Sequence, residues 1–174
     1  PRVGVIANRS EAILLGYLIA DGYYGECKSN QIHFTNTTWR YLLEFQKHYH
    51  KFFNYRRPIK PHGRDDDGKI TSYRIYHNNK TTKQWLCDLG IYGQIGENKV
   101  IPNAVFSWDN DSIALFLNRL FAADGWYSGG NCNEVGIGQE SLQLLNQIKQ
   151  LLTRFGIKSK IYEATDESMP KLRI

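Results

Sequence analysis

The sequence predicts an α+β domain built as a pseudo-twofold pair of half-domains, joined through two packed helices and each carrying an antiparallel sheet. An apolar helix ending in an acid and a glycine occurs twice, as LLGYLIADG from Leu14 to Gly22 and as LNRLFAADG from Leu117 to Gly125. The apolar pattern around Asp21 also returns 103 positions later around Asp124: Ile32 falls on Val135, Phe34 on Ile137, Trp39 on Leu142, Phe45 on Ile148, Tyr49 on Leu152 and Phe52 on Phe155. Past these residues the offset becomes 102, pairing Tyr55 with Ile157 and Ile59 with Ile161. A repeat of only two units makes a pseudo-twofold domain and not a solenoid.

Taken in order, Pro1 to Ala7 is a short apolar lead into the first motif helix. Ser10 is the expected cap of that helix, and Asn110 or Asp111 of the second. Ile13, Leu14, Tyr17 and Leu18 form an apolar face beside a small-residue stripe of Ala12, Gly16 and Ala20; the second helix sets Ile113, Leu117, Leu120 and Phe121 beside Ala114, Asn118 and Ala122. Small side chains let two helices approach closely, so Ala12, Gly16, Ala20, Asn118, Ala122 and Ala123 are the expected interface. The glycine after each helix suits a left-handed cap.

Lys28 to Phe34 alternates as a half-buried strand, with Ile32 and Phe34 on one face and Ser29, Gln31 and His33 on the other. Thr38 to Phe53 reads as an amphipathic helix through Trp39, Leu42, Phe45, Tyr49 and Phe52. A basic extended segment (Tyr55 to Pro61), a polar turn (His62 to Gly68), a strand (Lys69 to His77), a short helix (Thr81 to Leu89) and a glycine-rich linker (Gly90 to Asn98) complete the first half. The expected halves are residues 1–98 and 99–174. Met169 to Ile174 matches the strand around Arg74, so the second half is expected to be incomplete at its C-terminal side, lacking a counterpart of the Thr81 to Leu89 helix.

Asp21 and Asp124 are out of place on structural grounds, because a helix C-terminus is already electronegative and favours cations. A single Asp-Gly is an ordinary turn. Two, on helices packed side by side, bring two carboxylates and the last carbonyls together, and such a cluster must protonate or bind a hard cation such as Mg2+ (or Mn2+).

At these residues the sequence resembles the LAGLIDADG homing endonucleases: Gly16, Ala20, Asp21 and Gly22 match the family motif, and Phe116, Leu117, Leu120, Phe121, Ala123, Asp124 and Gly125 fit its intein-borne second copy. Lys99-Val-Ile-Pro102 resembles the K-x-I-P element preceding that copy, and Leu151 to Ile157 the L-L-x-x-x-G-I helix end following it. Arg119 departs from the pattern, standing in the small-residue slot that Gly16 fills in the first copy. The resemblance implies the LAGLIDADG homing endonuclease fold (αββαββα-type), with two saddle-shaped sheets lying across double-stranded DNA. It implies site-specific double-strand cleavage with divalent metal held by Asp21 and Asp124, in a protein most like the endonuclease part of an intein. Lys99 resembles a family lysine that polarises the attacking water or the phosphate.

The strand faces turned from the core are then the expected DNA contacts: Ser29, Gln31, His33, Arg56, Lys60, Arg74 and Tyr76 in the first half, and Lys158, Lys160, Tyr162, Lys171 and Arg173 in the second. The net charge of +5 agrees with a polyanionic partner. Three cysteines without a C-x-x-C pair argue for a reducing intracellular compartment and against zinc, and no apolar run approaches membrane-spanning length. His48 and His50 sit two apart on a helix and cannot share a metal, and no phosphate-binding G-x-x-x-x-G-K-[ST] loop is present. Gly90-Ile91-Tyr92 with Gln94-Ile95-Gly96 lacks the spacing and the Tyr-Ile-Gly of a GIY-YIG nuclease. The reading is a monomer with internal symmetry, with the splicing domain of a parent intein as a further partner; the alternative is a non-cleaving nucleic-acid-binding protein, either a decayed endonuclease or an intron maturase.

Overall fold

A computed structural model describes residues 4–25, 31–130, 133–165 and 168–174. The first half runs α1 (Arg9–Asp21), β1 (Gly22–Tyr23), β2 (His33–Asn36), α2 (Trp39–Phe53), β3 (Lys60–Arg64), β4 (Ile70–Tyr76) and α3 (Lys80–Asp88). The second runs α4 (Asn110–Asp124), β5 (Gly125–Ser128), β6 (Glu134–Gly138), α5 (Leu142–Thr153), β7 (Lys160–Tyr162) and β8 (Lys171–Arg173). Two antiparallel sheets of four strands result, ordered β1-β2-β4-β3 and β5-β6-β8-β7.

Strand register preserves the repeat. Gly22 pairs with Phe34 and Gly125 with Ile137, both members shifted by the same offset; Phe34 then pairs with Ile75 and Ile137 with Leu172. Phe34, Ile75, Ile137 and Leu172 are all fully buried. Tyr17, Phe34 and Phe45 form the aromatic centre of the first half, with ring centroids 5.3 Å and 4.7 Å apart along that chain of contacts. In the second half the equivalent positions are aliphatic, around Ile137, Leu144, Ile148 and Leu172.

The helix starts lie earlier than the sequence predicts. Asn8 caps α1 by accepting from the Ser10 N–H, and Asp109 caps α4 by accepting from the Ser112 N–H. Ser10, Asn110 and Asp111 are therefore inside the helices, and the Ser10 hydroxyl instead meets Nδ1 of His48 at 3.0 Å. Neither terminal glycine is left-handed. Gly22 and Gly125 have φ of −82° and −81°, and their N–H groups bond back to the Leu18 and Phe121 carbonyls. A Cβ at Gly22 would lie 2.3 Å from the Leu18 oxygen, and one at Gly125 2.5 Å from that of Phe121. Close approach is what demands glycine here, because the chain turns directly from helix into strand.

That turn creates β1 and β5, which the sequence pattern does not reveal. β3 also occupies residues expected to be an extended segment and a turn. Its Pro61 and Gly63 are tolerated because β3 is a sheet edge with a register irregularity between them. The start of the predicted Lys28 strand, including Ser29, lies outside the described residues, as do Cys27 and Cys132; Cys87 is an exposed free thiol. Among the described residues no helix is long and apolar enough to cross a membrane.

α1 and α4 pack against each other, but not stripe to stripe. Gly16 supplies the closeness on the α1 side: a Cβ there would lie 2.6 Å from the Phe116 oxygen and 2.7 Å from the Arg119 Cβ. On α4, Ala114 and Asn118 are exposed and line an open cavity with Ala122, so this row faces away from the contact, whereas Phe116, Leu120 and Ala123 pack into the core. The expectation that Asn118 and Ala122 form the interface is corrected accordingly. Arg119 fits because only its Cβ meets Gly16, while its guanidinium turns to α2 and donates Nε to Glu44 Oε2 (2.8 Å) and a terminal nitrogen to Oε1 (2.7 Å). The Tyr17 hydroxyl donates to the same Glu44 Oε2 at 2.6 Å. Replacing Glu44 with Gln should lower stability by about 1–2 kcal/mol by removing the charged acceptor of a half-buried fork, and a urea midpoint matching the parent would refute the inference.

Candidate active site

The two helix C-termini bring Asp21 and Asp124 to the line between the halves, each directly before the glycine that starts a strand. Burial, then repulsion from Asp124, pushes Asp21 up to about 6, against the opposing pull of its Asn36 hydrogen bond and of Lys99. Asp124 is raised as well, by burial, with Gln139 and Lys99 opposing. A carboxyl that titrates higher in the folded than in the unfolded state binds more protons when folded, so stability falls as pH rises through that interval. Without divalent ions, Asp21→Asn should therefore gain stability relative to the parent between about pH 4 and pH 6, by on the order of 3 kcal/mol, and keep that gain above it. Parallel pH–stability curves for the two proteins would show that Asp21 is not held in this way.

Each acid is held by an amide from its own half. Asn36 Nδ2 donates to Asp21 Oδ2 at 2.5 Å, and Gln139 Nε2 donates to Asp124 Oδ2. Asn36 ends β2 and Gln139 immediately follows β6, and the two are related by the same offset as the aspartates. Sequence reasoning missed both, although applying the repeat offset to polar as well as apolar positions finds the pair.

Lys99 reaches the site from the connection preceding α4. Its Nζ donates to the carbonyls of Ile19 (3.1 Å), Ala20 (3.1 Å) and Gly22 (3.0 Å), capping the electronegative end of α1. Burial pulls its pKa down, while Asp124, Asp21 and Glu140 hold it up. The connection is pinned to α5 by Gln147, which accepts from the Ile101 N–H at 2.7 Å and donates to the Ile101 carbonyl at 3.2 Å. Lys99, Asp124, Gln139 and Glu140 line one polar cavity of about 310 Å³.

The outward sheet faces carry most of the predicted contacts. In the first half, Lys60 on β3 is opposite Arg74 on β4, which is opposite Thr35 on β2; Tyr76 is opposite His33, whose ring stacks on Tyr23 at 5.1 Å. Arg74 donates to Thr35 Oγ1 (2.7 Å) and lies 2.5 Å from His62 Nε2. Burial and the Arg74 charge bring His33 down to about 4, leaving it neutral at pH 7. Gln31 is half-buried ahead of β2, and Arg56 is exposed in the irregular segment before β3, away from the strand pairing. In the second half, Lys158, Lys160, Tyr162 and Arg173 line one open depression with Glu134, and Lys171 pairs with Tyr162. Lys158 precedes β7 and so does not alternate with Lys160 on a strand as expected. Arg173 is ion-paired to Glu134 at 3.0 Å and lies over the Tyr162 ring at 4.7 Å.

Residues 111–174 match the family model for the LAGLIDADG-like domain. Across the whole chain the fold is that of the LAGLIDADG homing endonucleases. The structure of I-DmoI in complex with DNA and Mn superposes with a TM-score of 0.66 at 17% identity, covering 96% of this chain and 90% of that one. The homing endonuclease I-WcaI bound to its DNA recognition sequence gives 0.65 at 14% identity (98% and 76%), and the N-terminal LAGLIDADG domain of WhiA 0.61 at 17% (97% and 76%). Among curated proteins, the chain is 28% identical over 146 residues to a glutamine–fructose-6-phosphate aminotransferase of Methanocaldococcus jannaschii, covering 83% of this chain and 12% of that protein. It is 27% identical over 165 residues to the replication factor C small subunit of the same organism (95% and 8%), and 38% identical over 89 residues to RecA of Mycobacterium tuberculosis (47% and 11%). The chain thus spans about a tenth of the length of the curated relatives it matches.

Proposed function

We propose that this chain, built on the LAGLIDADG fold, is a site-specific double-strand DNA endonuclease whose halves, residues 1–98 and 99–174, each serve one strand. The observation that carries the reading is the pair of half-buried carboxylates, Asp21 repelled by Asp124, at the tips of two packed helices, between two sheets with basic and aromatic outward faces. The donors suit a hard divalent cation such as Mg2+ or Mn2+: burial raises the pKa of both carboxylates and repulsion from Asp124 adds to it at Asp21, and a bound cation would offset both effects. No group of three or more His, Cys, Asp or Glu side chains gathers among the described residues, so DNA phosphate oxygens and water would complete the shell. The chemistry such an ion supplies when bound is activation of water and stabilisation of the leaving 3′ oxygen. The chain's own contribution is positional: Asn36 and Gln139 fix the carboxylates, and Lys99 fixes the end of α1 that carries Asp21.

An intein origin is supported by the relatives, since an aminotransferase, a replication factor subunit and a RecA share no named activity, yet each resembles this chain over a small fraction of its length. An inserted element explains that pattern. The non-cleaving alternative draws support from the likeness to the WhiA domain, which is described as a LAGLIDADG domain and not as an endonuclease. Incubation with Mg2+ and DNA carrying an uninterrupted host-gene junction decides between them: a discrete double-strand cut is expected, and tight binding with intact duplex would favour the alternative. Binding should also weaken about tenfold or more between 50 and 200 mM salt if several Lys and Arg meet phosphates, whereas a flat response would remove the basic sheet faces from the interface.

A further inference from the structure

The outward face of the second sheet is not uniformly basic. Ile137 and Leu172 turn inward and are fully buried, so by strand alternation Glu134, Gly136 and Arg173 lie on the face turned from the core. Arg173 stands opposite Gly136, and Gly136 opposite Trp126. A Cβ at Gly136 would lie 2.6 Å from Cε2 of Trp126, so the missing side chain makes room for the indole. The Arg173 guanidinium lies over the Tyr162 ring at 4.7 Å, comes within 5.8 Å of the Trp126 ring, and is ion-paired to Glu134 at 3.0 Å. Only 33% of its side chain is exposed, and its Nε is buried with no partner among the described residues. A guanidinium fixed by three neighbours has already lost the rotamer freedom that binding would cost it.

Glu134 is the residue that a phosphate clamp does not explain. A carboxylate repels the DNA backbone, and Lys158, Lys160 and Arg173 around the same open depression would serve phosphates better without it. Beside a fixed guanidinium it makes a different surface, a fork of donors next to an acceptor. The major-groove edge of a G·C pair is the complement of that surface: N7 and O6 of guanine accept, and N4 of cytosine donates. We infer that Glu134 and Arg173 together read one G·C pair in the arm of the target that lies on the second half, Arg173 donating to the guanine and Glu134 accepting from the cytosine amine. This rests on the DNA-binding part of the reading above and not on cleavage. By the repeat offset Glu134 corresponds to Gln31, and Tyr76 takes the place of Arg173, since His33 is opposite Tyr76 as Gly136 is opposite Arg173. Gln31 and Tyr76 form no charge pair, so the requirement falls on one arm and the target is not palindromic at that position.

The test measures binding in EDTA, so that no metal-dependent cut depletes the complex, to duplexes carrying the uninterrupted host-gene junction and every single base-pair change of it. At one position in the second-half arm, replacing G·C should weaken binding by the parent about tenfold or more. Arg173→Gln should move that preference from G·C to A·T, because an amide pairs with N6 and N7 of adenine, and Arg173→Lys, which keeps the charge but not the fork, should relax it without moving it. Glu134→Gln should bind every duplex at least as tightly as the parent yet discriminate severalfold less. Equal losses on all duplexes for Arg173→Gln would make Arg173 a phosphate contact and overturn the inference, as would a second-half arm with no G·C preference. Discriminating binding that leaves the duplex intact once Mg2+ is added would remove the nuclease reading alone, and failure to bind any duplex would remove both.

Discussion

Replacing Asp21 or Asp124 with Asn should slow DNA cleavage by about 10³-fold or more while leaving affinity for DNA unchanged or higher. The amide has nearly the carboxylate's shape, and Asn36 and Gln139 remain to orient it, so the fold stays intact. What is lost is negative charge at the place where the attacking and leaving oxygens must be served. Removing a half-buried anion also makes the surface more attractive to a polyanion. A supercoiled plasmid carrying the target separates the outcomes, because linear product requires both strands to be cut while a one-strand defect stops at the nicked circle. Cleavage by either variant at the parent rate would end the assignment.

Gly16→Val should destabilise the protein by about 3 kcal/mol, a fall of about 10 °C in Tm for a chain of this length. The added Cβ alone would sit 2.6 Å from the Phe116 carbonyl oxygen, which is main chain and cannot rotate away. Relief requires α1 and α4 to separate, and Glu44, tied to Tyr17 on one helix and Arg119 on the other, resists that movement. Ala114→Val is the matching control: it lies on the exposed side of α4 and should move Tm by no more than a β-branched residue costs in a helix, about half a kcal/mol. Equal losses in the two variants would mean that the helices do not meet at Gly16.

Patterns that repeat were legible in the sequence, and details fixed by contact were not. The apolar periodicity of Leu42, Phe45 and Tyr49 gave α2 to within a residue, and the offset from Asp21 to Asp124 gave the pairing of Phe34 and Ile137. β1 escaped because two residues cannot show alternation, and β3 because Pro61, His62 and Gly63 have no strand propensity and are held only by pairing with β4. The Ala114, Asn118 and Ala122 row misled, since small size does not say which way a helix is rotated. Likewise a lysine in a motif gave no hint that its ammonium would be taken up by two carbonyls of the last turn of α1 and by that of Gly22 just beyond it.

Val5 forms a parallel bridge with Trp108, and the two positions are exact counterparts in the repeat. Corresponding residues meet in this way only on a rotation axis, so the molecule has the contacts of a self-associating protein whose two subunits have been written into one polypeptide. The connection from Gly90 to Asn98 raises the local concentration of one half around the other and is itself packed into the union, with Ile91 fully buried and the Gly93 N–H donating to the Tyr24 carbonyl at 2.9 Å.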